Sequence, residues 1–306
     1  MNPAARRARI GGTVRTLLPS ALALLVAVPS AALQQPPRAR CAPVFYWGVD
    51  VGTVTLSALL QGRARAVPVK RAILGGLAGG SLIYAGQRLV GTGEPALRLA
   101  GLQTVAVGAS LARNLGTGRG ALDELTFPVF PFYLQLRQTE RPTWSVRLSV
   151  AAVAGIVHTA REHRVWPEWR ESLLAGMPVF AIQDSRLAPC DGYTPGGECV
   201  VLGHHVVGAV AYAARPTKTT VRDVLTHELG HAAQDMRDVV LHAVPASDFV
   251  LRSHPVGRWI ARFLVVDVVL PLNMVSRAVG PPADPACSQL PSFYECETEA
   301  MKPTLP

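Results

Sequence analysis

A long run of small and apolar residues is the feature that most restricts how this chain can fold. AILGGLAGGSLIYAGQRLVG (72–91) is followed closely by ALRLAGLQTVAVGASLARNLG (96–116). The glycines of the first run include two pairs at a spacing of four, Gly75 with Gly79 and Gly76 with Gly80. Such a pair lies on one face of a helix, where the absence of side chains lets a second helix approach closely. The pattern predicts closely packed helices.

Polar residues interrupt both runs, and they bear on whether these helices cross a membrane. The interrupting residues are Gln87, Arg88, Arg98, Gln103 and Arg113. A spanning helix needs about 20 consecutive, predominantly apolar residues. We therefore expect a buried helical hairpin, membrane-associated or not, and keep transmembrane helices as the alternative.

Composition and charge narrow the class of protein. Of the 306 residues, 49 % are hydrophobic and 17 % charged, which excludes a disordered or coiled-coil protein. The formal net charge is +9, but part of it comes from arginines in the first 15 residues. The rest is spread without a dense basic stripe, so we expect no nucleic-acid partner.

The N-terminal residues have the pattern of an export signal. Arginines precede the apolar run LLPSALALLVAV (17–28), and small residues follow at 30–32, where a signal peptidase would cut. The pattern predicts a signal peptide over 1–32, with an uncleaved membrane anchor as the alternative, and a proline-rich linker over 33–43. We expect an exported protein of the periplasm, the cell envelope or the medium.

Five cysteines suit an exported protein. Cys190 and Cys199 enclose a short loop rich in glycine and proline, and Cys287 and Cys296 enclose another short loop. Both loops are places where a disulfide stabilises. The spacing leaves the connectivity open, and Cys41 is left over. Because no two cysteines form a CxxC motif, a cysteine zinc cluster is not expected.

Alternating apolar and polar residues indicate β-strands in the middle of the chain. FPVFPFYLQLRQ (127–138) and WSVRLSV (144–150) alternate in this way and predict a β-hairpin. Two further segments read as strands, MPVFAIQ (177–183) and CVVLGHHVVGAVAYA (199–213).

Helical periodicity returns in the last third. The segment 219–244 has an apolar face at helical spacing and is predicted to end at Pro245. Residues 256–270 are predicted to form a second helix. A short third helix is expected to begin near Ser292 and to carry the acidic segment YECETEA (294–300).

The pentapeptide HELGH (227–231) lies on the first of these helices. A spacing of four places His227 and His231 one turn apart on one face. Two imidazoles so placed can bind one tetrahedral cation at the zinc–nitrogen distance of about 2.0–2.1 Å. Glu228 can then reach the reacting water as a general base without being a ligand. Chance would supply such a match on the order of 0.01 times in a chain of this composition.

HELGH resembles the active-site helix of the zincin metallopeptidases. In that family the two histidines bind zinc and the glutamate is the general base. The resemblance therefore implies zinc binding by His227 and His231, and the role of base for Glu228. The motif is only five residues long, so it says nothing about residues 44–200.

The third zinc ligand separates the branches of the family. Metzincins continue as HExxHxxGxxH, but Gln234 and Arg237 occupy the last two of those positions here. Gluzincins take the third ligand from a glutamate on a later helix, commonly one that precedes an alanine. Glu299 has that alanine after it, so the gluzincin resemblance implies His227, His231 and Glu299 as the ligands.

Several alternatives stay open at the third position. Glu295 lies one turn before Glu299 and could bind the metal or orient a histidine, whereas Glu297 would point elsewhere. The three glutamates could instead form a solvated acidic patch. The weaker candidate ligands are Asp248, Asp267, His242 and His254.

Two further roles are expected beside the metal. His204 and His205 lie in a predicted strand, and one of them could contact substrate. A group that stabilises charge in the transition state is also required, for which Tyr212 and Tyr294 are candidates.

Together these patterns predict an α+β fold with a glycine-rich helical region over 44–120, central antiparallel strands, and a zincin-like helical part within a metallohydrolase domain over 121–306. The expected function is an exported Zn²⁺-dependent peptidase that acts on a peptide or protein substrate. The alternative is a non-catalytic cell-envelope or membrane-associated protein that retains a zincin scaffold. Charges on the motif helix argue against a multi-spanning intramembrane protease.

Overall fold

The computed structural model describes residues 43–138, 140–183, 203–206, 208–214 and 221–266. The predicted leader, the five cysteines, and the acidic segment with Glu295, Glu297 and Glu299 lie outside these described residues.

Three helices open the described chain, namely α1 (Pro43–Arg63), α2 (Val69–Gly91) and α3 (Pro95–Gly116). Glycines let the backbones of α2 and α3 touch, because a Cβ atom on Gly79 would lie 2.6 Å from the carbonyl oxygen of Gly108. The same holds seven residues later, where a Cβ on Gly86 would lie 2.6 Å from the carbonyl oxygen of Gly101. The predicted close packing of helices is confirmed.

The other pair of glycines on α2 contacts α1 instead. A Cβ on Gly76 would meet Thr55, and a Cβ on Gly80 would lie 2.6 Å from the Cα atom of Val51. Because rising numbers on α2 meet falling numbers on α1, the two helices are antiparallel. Within the described ranges, no helix has the length and apolar character needed to span a bilayer.

A four-stranded sheet follows, formed by β1 (Glu124–Val129), β2 (Phe132–Arg137), β3 (Thr143–Ser149) and β7 (Leu264–Val265) in that order. The predicted antiparallel pairing of 127–138 with 144–150 is confirmed for β2 and β3, with Leu134 opposite Val146. The segment 127–138 is, however, not one strand. It turns at Phe130–Pro131, and β1 pairs with β2, placing Phe127 opposite Leu134.

Over its described part, 256–266, the predicted helix at 256–270 is wrong beyond its first turns. Among the described residues 255–266, only α8 (Pro255–Ile260) is helical, and after a turn β7 pairs in parallel with β3. The amide of Leu148 donates to the carbonyl oxygen of Phe263 at 2.7 Å. A short apolar run such as this one is compatible with a helix or a strand. Here the pairing with β3 outweighs the helical periodicity.

Two helices that the sequence interpretation did not predict follow β3. Helix α4 (Val150–His163) begins where the side chain of Ser149 accepts a hydrogen bond from the amide of Ala152 at 2.9 Å. Helix α5 (Trp169–Ala175) comes next. The strand-like alternation of 144–150 concealed the cap, because Ser149 fits both patterns.

The second sheet has the order β4 (Val179–Ile182), β6 (Ala209–Ala213) and β5 (Gly203–Val206). The predicted strands are present in both segments. The expectation of antiparallel strands is confirmed for β5 with β6 but wrong for β4 with β6, which pair in parallel.

Helix α6 (Val221–Asp238) packs against this sheet and against α2 and α3. Leu229 and Met236 of α6 belong to the same core as Ile83 and Leu102 of α2 and α3. One continuous hydrophobic core therefore joins the glycine-rich helices to the helix that carries HELGH.

The predicted end of the motif helix at Pro245 is also wrong. A π-helical turn (Val239–Ala243) connects α6 directly to α7 (Val244–Arg252), which has Pro245 in its first turn. Proline is tolerated there because the first amides of a helix have no partner within the helix. Side chains bind two carbonyls of the π turn, since Arg113 donates to Val240 at 3.3 Å and Gln61 to Leu241 at 3.2 Å.

Candidate metal centre

Helix α6 is buried on almost all sides. Glu228 and His231 are each only 5 % exposed, and His227 is half-buried. Asp235 is buried as well, so not all the charges of the motif helix are exposed to solvent. The motif side chains are held in a densely packed environment.

The turn between α2 and α3 fixes the beginning of α6. Arg222 donates to the carbonyl oxygen of Thr92 at 2.9 Å and to the carboxylate of Glu94 at 2.6 Å. Gly93 between them has φ = +68°, and a Cβ there would lie 2.7 Å from Oγ1 of Thr226. The glycine thus gives both a left-handed turn and room for the first turns of the motif helix.

The two motif histidines meet at the atoms that would bind a metal. The Nε2 atoms of His227 and His231 are 3.2 Å apart, and the rings are nearly perpendicular at 89°. Two nitrogen ligands of a tetrahedral zinc ion at about 2.0–2.1 Å are separated by about 3.3–3.4 Å. The pair therefore has close to the separation that a shared cation requires.

The other ring nitrogen of His231 is held by its own helix. Nδ1 lies 3.0 Å from Oε1 of Gln234, which is fully buried. An amide oxygen only accepts, so Nδ1 is the donor in this contact and Nε2 is the nitrogen that faces His227. This is how the partners of metal-binding histidines set the tautomer and the ring orientation.

A second buried pair lies beside the motif. Nδ1 of His205, on β5, is 3.5 Å from Oδ2 of Asp235 on α6, and both side chains are at most 3 % exposed. The ring centre of His205 is 6.4 Å from that of His231. Of the two histidines in the predicted strand, His205 is therefore the one that the structure places beside the site; the side chain of His204 lies outside the description.

The glutamates predicted as third ligand lie outside the described residues. Neither Glu299 nor the nearby Glu295 and Glu297 are described. Within the part of the chain that the structure describes, no three His, Cys, Asp or Glu side chains are placed to hold a metal ion. The two nitrogen donors fit zinc, and the complete ligand set stays a prediction.

The weaker candidates have other contacts. Asp248 forms ion pairs with Arg147 at 2.9 Å and Arg252 at 3.2 Å. His254 caps α8 by accepting from the amide of Val256 at 3.3 Å. His242 lies in the π turn, where burial lowers its pKa. Asp267 lies beyond the described residues.

Tyr212, a candidate for stabilising the transition state, is hydrogen-bonded elsewhere. Its hydroxyl donates to Oε2 of Glu168 at 3.0 Å, and burial together with this carboxylate raises its pKa. The other candidate, Tyr294, lies outside the described residues.

Sequence reasoning missed Gln234 and Asp235 as partners of histidines. Gln234 follows His231 by three residues and Asp235 follows it by four. Both spacings place a side chain on the same helix face as the histidine, so the helical periodicity contained the signal for Gln234. The partnership of Asp235 with His205 depends on the packing of α6 on β5.

No protein-family model, no curated protein and no solved structure matches this chain. The resemblance to zincins thus rests on HELGH and its surroundings in this molecule.

Proposed function

We propose that this protein is an exported, zinc-dependent hydrolase that cleaves peptide bonds. The observation that carries the proposal is the 3.2 Å separation between the Nε2 atoms of His227 and His231 on a buried helix, with Glu228 following the first of them.

The residues of the site have separate roles. His227 and His231 bind the cation, and Gln234 holds the ring of His231 in position. Glu299 is the third ligand that the gluzincin resemblance implies. A bound zinc ion would supply a Lewis acid that makes a water more acidic and polarises the carbonyl of the substrate. Nitrogen and carboxylate ligands are those that zinc takes in hydrolases.

Glu228 moves the proton. Its carboxylate accepts the proton of the attacking water and returns it to the leaving nitrogen, so that the amine departs neutral. Because Glu228 is almost fully shielded from solvent, packing restricts its carboxylate to few positions, which favours a repeated proton transfer along one path.

The sheet offers a place for an extended substrate. Among the described strands, β5 is at an edge of its sheet, and its residue His205 lies beside His231. A peptide can add to such an edge as a further strand through main-chain hydrogen bonds. This would place its backbone along the side of the site that His205 lines.

The test combines zinc content with peptide hydrolysis in the purified chain. We expect near-stoichiometric zinc in the wild type, loss of zinc in His231→Ala, and retained zinc in Glu228→Gln. General acid–base catalysis is worth roughly 10²–10⁴-fold, so Glu228→Gln should lose at least that factor in kcat. Glu162→Gln, an exposed carboxylate on α4, is the matched control and should keep full activity.

Two results would decide against the proposal. A wild-type chain that takes up no zinc when zinc is supplied would remove the metal site. Zinc uptake without hydrolysis of any peptide in a mixed library, in the wild type as in Glu228→Gln, would support the alternative of a non-catalytic envelope protein. Loss of zinc in Glu299→Ala but not in Glu297→Ala would establish the gluzincin ligand set.

A further inference from the structure

The outer side of the α1–α2 hairpin exposes several large apolar side chains. We define the hairpin face by six exposed side chains, Phe45, Leu56, Leu60, Ile73, Leu74 and Leu77. Leu56 is 57 % exposed and Leu74 is 62 % exposed, so these are not the edges of core residues. Large apolar side chains grouped on one side of a folded protein mark a surface that contacts something other than water.

The six side chains lie on one side of the hairpin. On α1 the residues that contact α2 include Val51 and Thr55, and on α2 the matching residues are Gly76 and Gly80. On each helix, a rotation about the helix axis leads from the contact residues to the exposed side chains, and this rotation has the same sense on both helices. Because the helices are antiparallel, the two exposed sets face the same way. The indole of Trp47 also donates to Ser81 at 3.1 Å across the pair.

Charge identifies the partner. Arg63, Arg65 and Lys70 are exposed at the end of the hairpin where α1 meets α2. The hairpin from 43 to 91 contains a single acidic residue, Asp50, which is fully buried and paired with Arg237 at 2.9 Å. Leu60 is one helical turn from Arg63, and Lys70 is one turn from Leu74. The surface is therefore apolar and cationic, with no exposed acid.

We infer that the hairpin face docks onto an anionic lipid surface. Helices that lie in a membrane interface combine a leucine- and aromatic-rich face with neighbouring cations, and they bind through buried apolar area plus attraction to anionic headgroups. The leucines enter the boundary between headgroups and acyl chains, while the three cations contact phosphate. The close glycine contacts of α2 with α1 and α3 keep the face rigid, so docking requires little ordering.

The experiment measures co-sedimentation of the purified full chain with vesicles. Wild type should bind phosphatidylcholine vesicles that contain phosphatidylglycerol, and bind phosphatidylcholine alone much more weakly. The triple variant Arg63→Gln, Arg65→Gln, Lys70→Gln should bind the anionic vesicles on the order of a hundredfold more weakly, at roughly fivefold per cation. Leu56→Gln with Leu74→Gln should weaken binding to both kinds of vesicle.

Matched variants at other positions test whether binding depends on the hairpin face or on exposed cations and apolar side chains in general. Arg161→Gln with Arg170→Gln and Arg258→Gln removes three exposed arginines from other helices. Val157→Gln with Leu173→Gln changes side chains that are 57 % and 68 % exposed, like Leu56 and Leu74. Both controls should bind as wild type does. If the controls lose as much binding as the hairpin variants, or if no variant loses any, the inference fails.

A second measurement tests whether the hairpin face itself contacts lipid. A photoreactive benzoylphenylalanine at position 74 should crosslink to lipid in anionic vesicles, whereas the same group at position 173 should not. Equal crosslinking at both positions would overturn the inference. Sedimentation velocity gives a further test. If Leu56→Gln with Leu74→Gln dissociates a dimer without changing vesicle binding, the inference is also overturned, because the hairpin face would then contact a second copy of the chain.

Discussion

Arg237 of α6 forms an ion pair with Asp50 of α1, with Nη1 and Oδ1 separated by 2.9 Å and Asp50 fully buried. This contact ties the glycine-rich helices to the C-terminal end of the helix that carries HELGH. Removing one partner of a buried pair leaves an uncompensated charge and costs about 3–5 kcal/mol. We therefore expect Asp50→Ala to lower the free energy of unfolding by that amount in urea denaturation.

A surface pair at the other end of α6 is the control for that prediction. Arg222 and Glu94 are 2.6 Å apart, but their side chains are 54 % and 55 % exposed. Exposed pairs contribute about 0–1 kcal/mol, so Glu94→Ala should change stability little. Equal losses in the two variants would mean that burial does not decide the strength of these contacts.

Glu124 predicts how stability depends on pH. Its burial disfavours the charged carboxylate, but Arg113, Arg137 and Arg119 outweigh that effect and lower its pKa. A lowered carboxyl pKa contributes stability that is present above the unfolded-state pKa and is lost as pH falls through the folded-state value. The wild type should therefore lose stability in acid faster than Glu124→Gln, which lacks this titration.

The measurement is the unfolding free energy of both proteins from neutral pH down to the acid range. At neutral pH Glu124→Gln should be the less stable, because the fully buried Arg113 loses its anionic partner. The gap should narrow as the wild-type carboxylate becomes protonated. Parallel curves for the two proteins would contradict the prediction.

The glycine contacts between α2 and α3 predict a position-dependent effect of alanine. A Cβ on Gly79 would lie 2.6 Å from a backbone oxygen, and overpacking of this kind costs about 1–3 kcal/mol. At Gly52 on α1, a Cβ would meet nothing within 4 Å. Gly52→Ala should stabilise the helix by up to about 1 kcal/mol, so thermal unfolding should shift in opposite directions for the two variants.

Gln234 provides a test of the proposed metal site that does not depend on catalysis. Replacing the partner of a metal-binding histidine typically lowers metal affinity by about 10–100-fold. Gln234→Met keeps the volume and removes the acceptor for Nδ1 of His231, so we expect a zinc affinity reduced by that factor in competition with a chelator. Gln61→Met, on α1, should leave the affinity unchanged. An unaltered affinity in Gln234→Met would show that the amide does not orient the ligand.

The sequence predicted those features whose cause is local. The glycine spacing indicated the packing of α2, and the spacing of four brought His227 and His231 together. The carbonyl contacts of Gly79 and Gly86 show why these positions carry no side chain. In each case, the information lies within a few residues of chain and one regular helix.

The features that the sequence did not predict depend on distant partners. Residues 264–265 form a strand because β3 offers an edge for pairing, and periodicity alone cannot distinguish that outcome from a helix. The approach of His205 to Asp235 likewise requires α6 to lie across β5. Pro245 illustrates the reverse error, since a local helix-ending signal proved to be the start of α7.

The π turn at Val239–Ala243 contains one residue more than the corresponding turn of an α-helix. The amide of Val244 donates to the carbonyl oxygen of Val239, five residues earlier, which is the hydrogen bond of a π-helix. Each residue advances an α-helix by about 100°. Deleting one residue from the turn would thus rotate everything after it by about that angle and carry Asp248 away from Arg147. The pairing of β7 with β3 depends on the same extra residue, so the length of the chain at this turn sets how the segments on either side of it fit together.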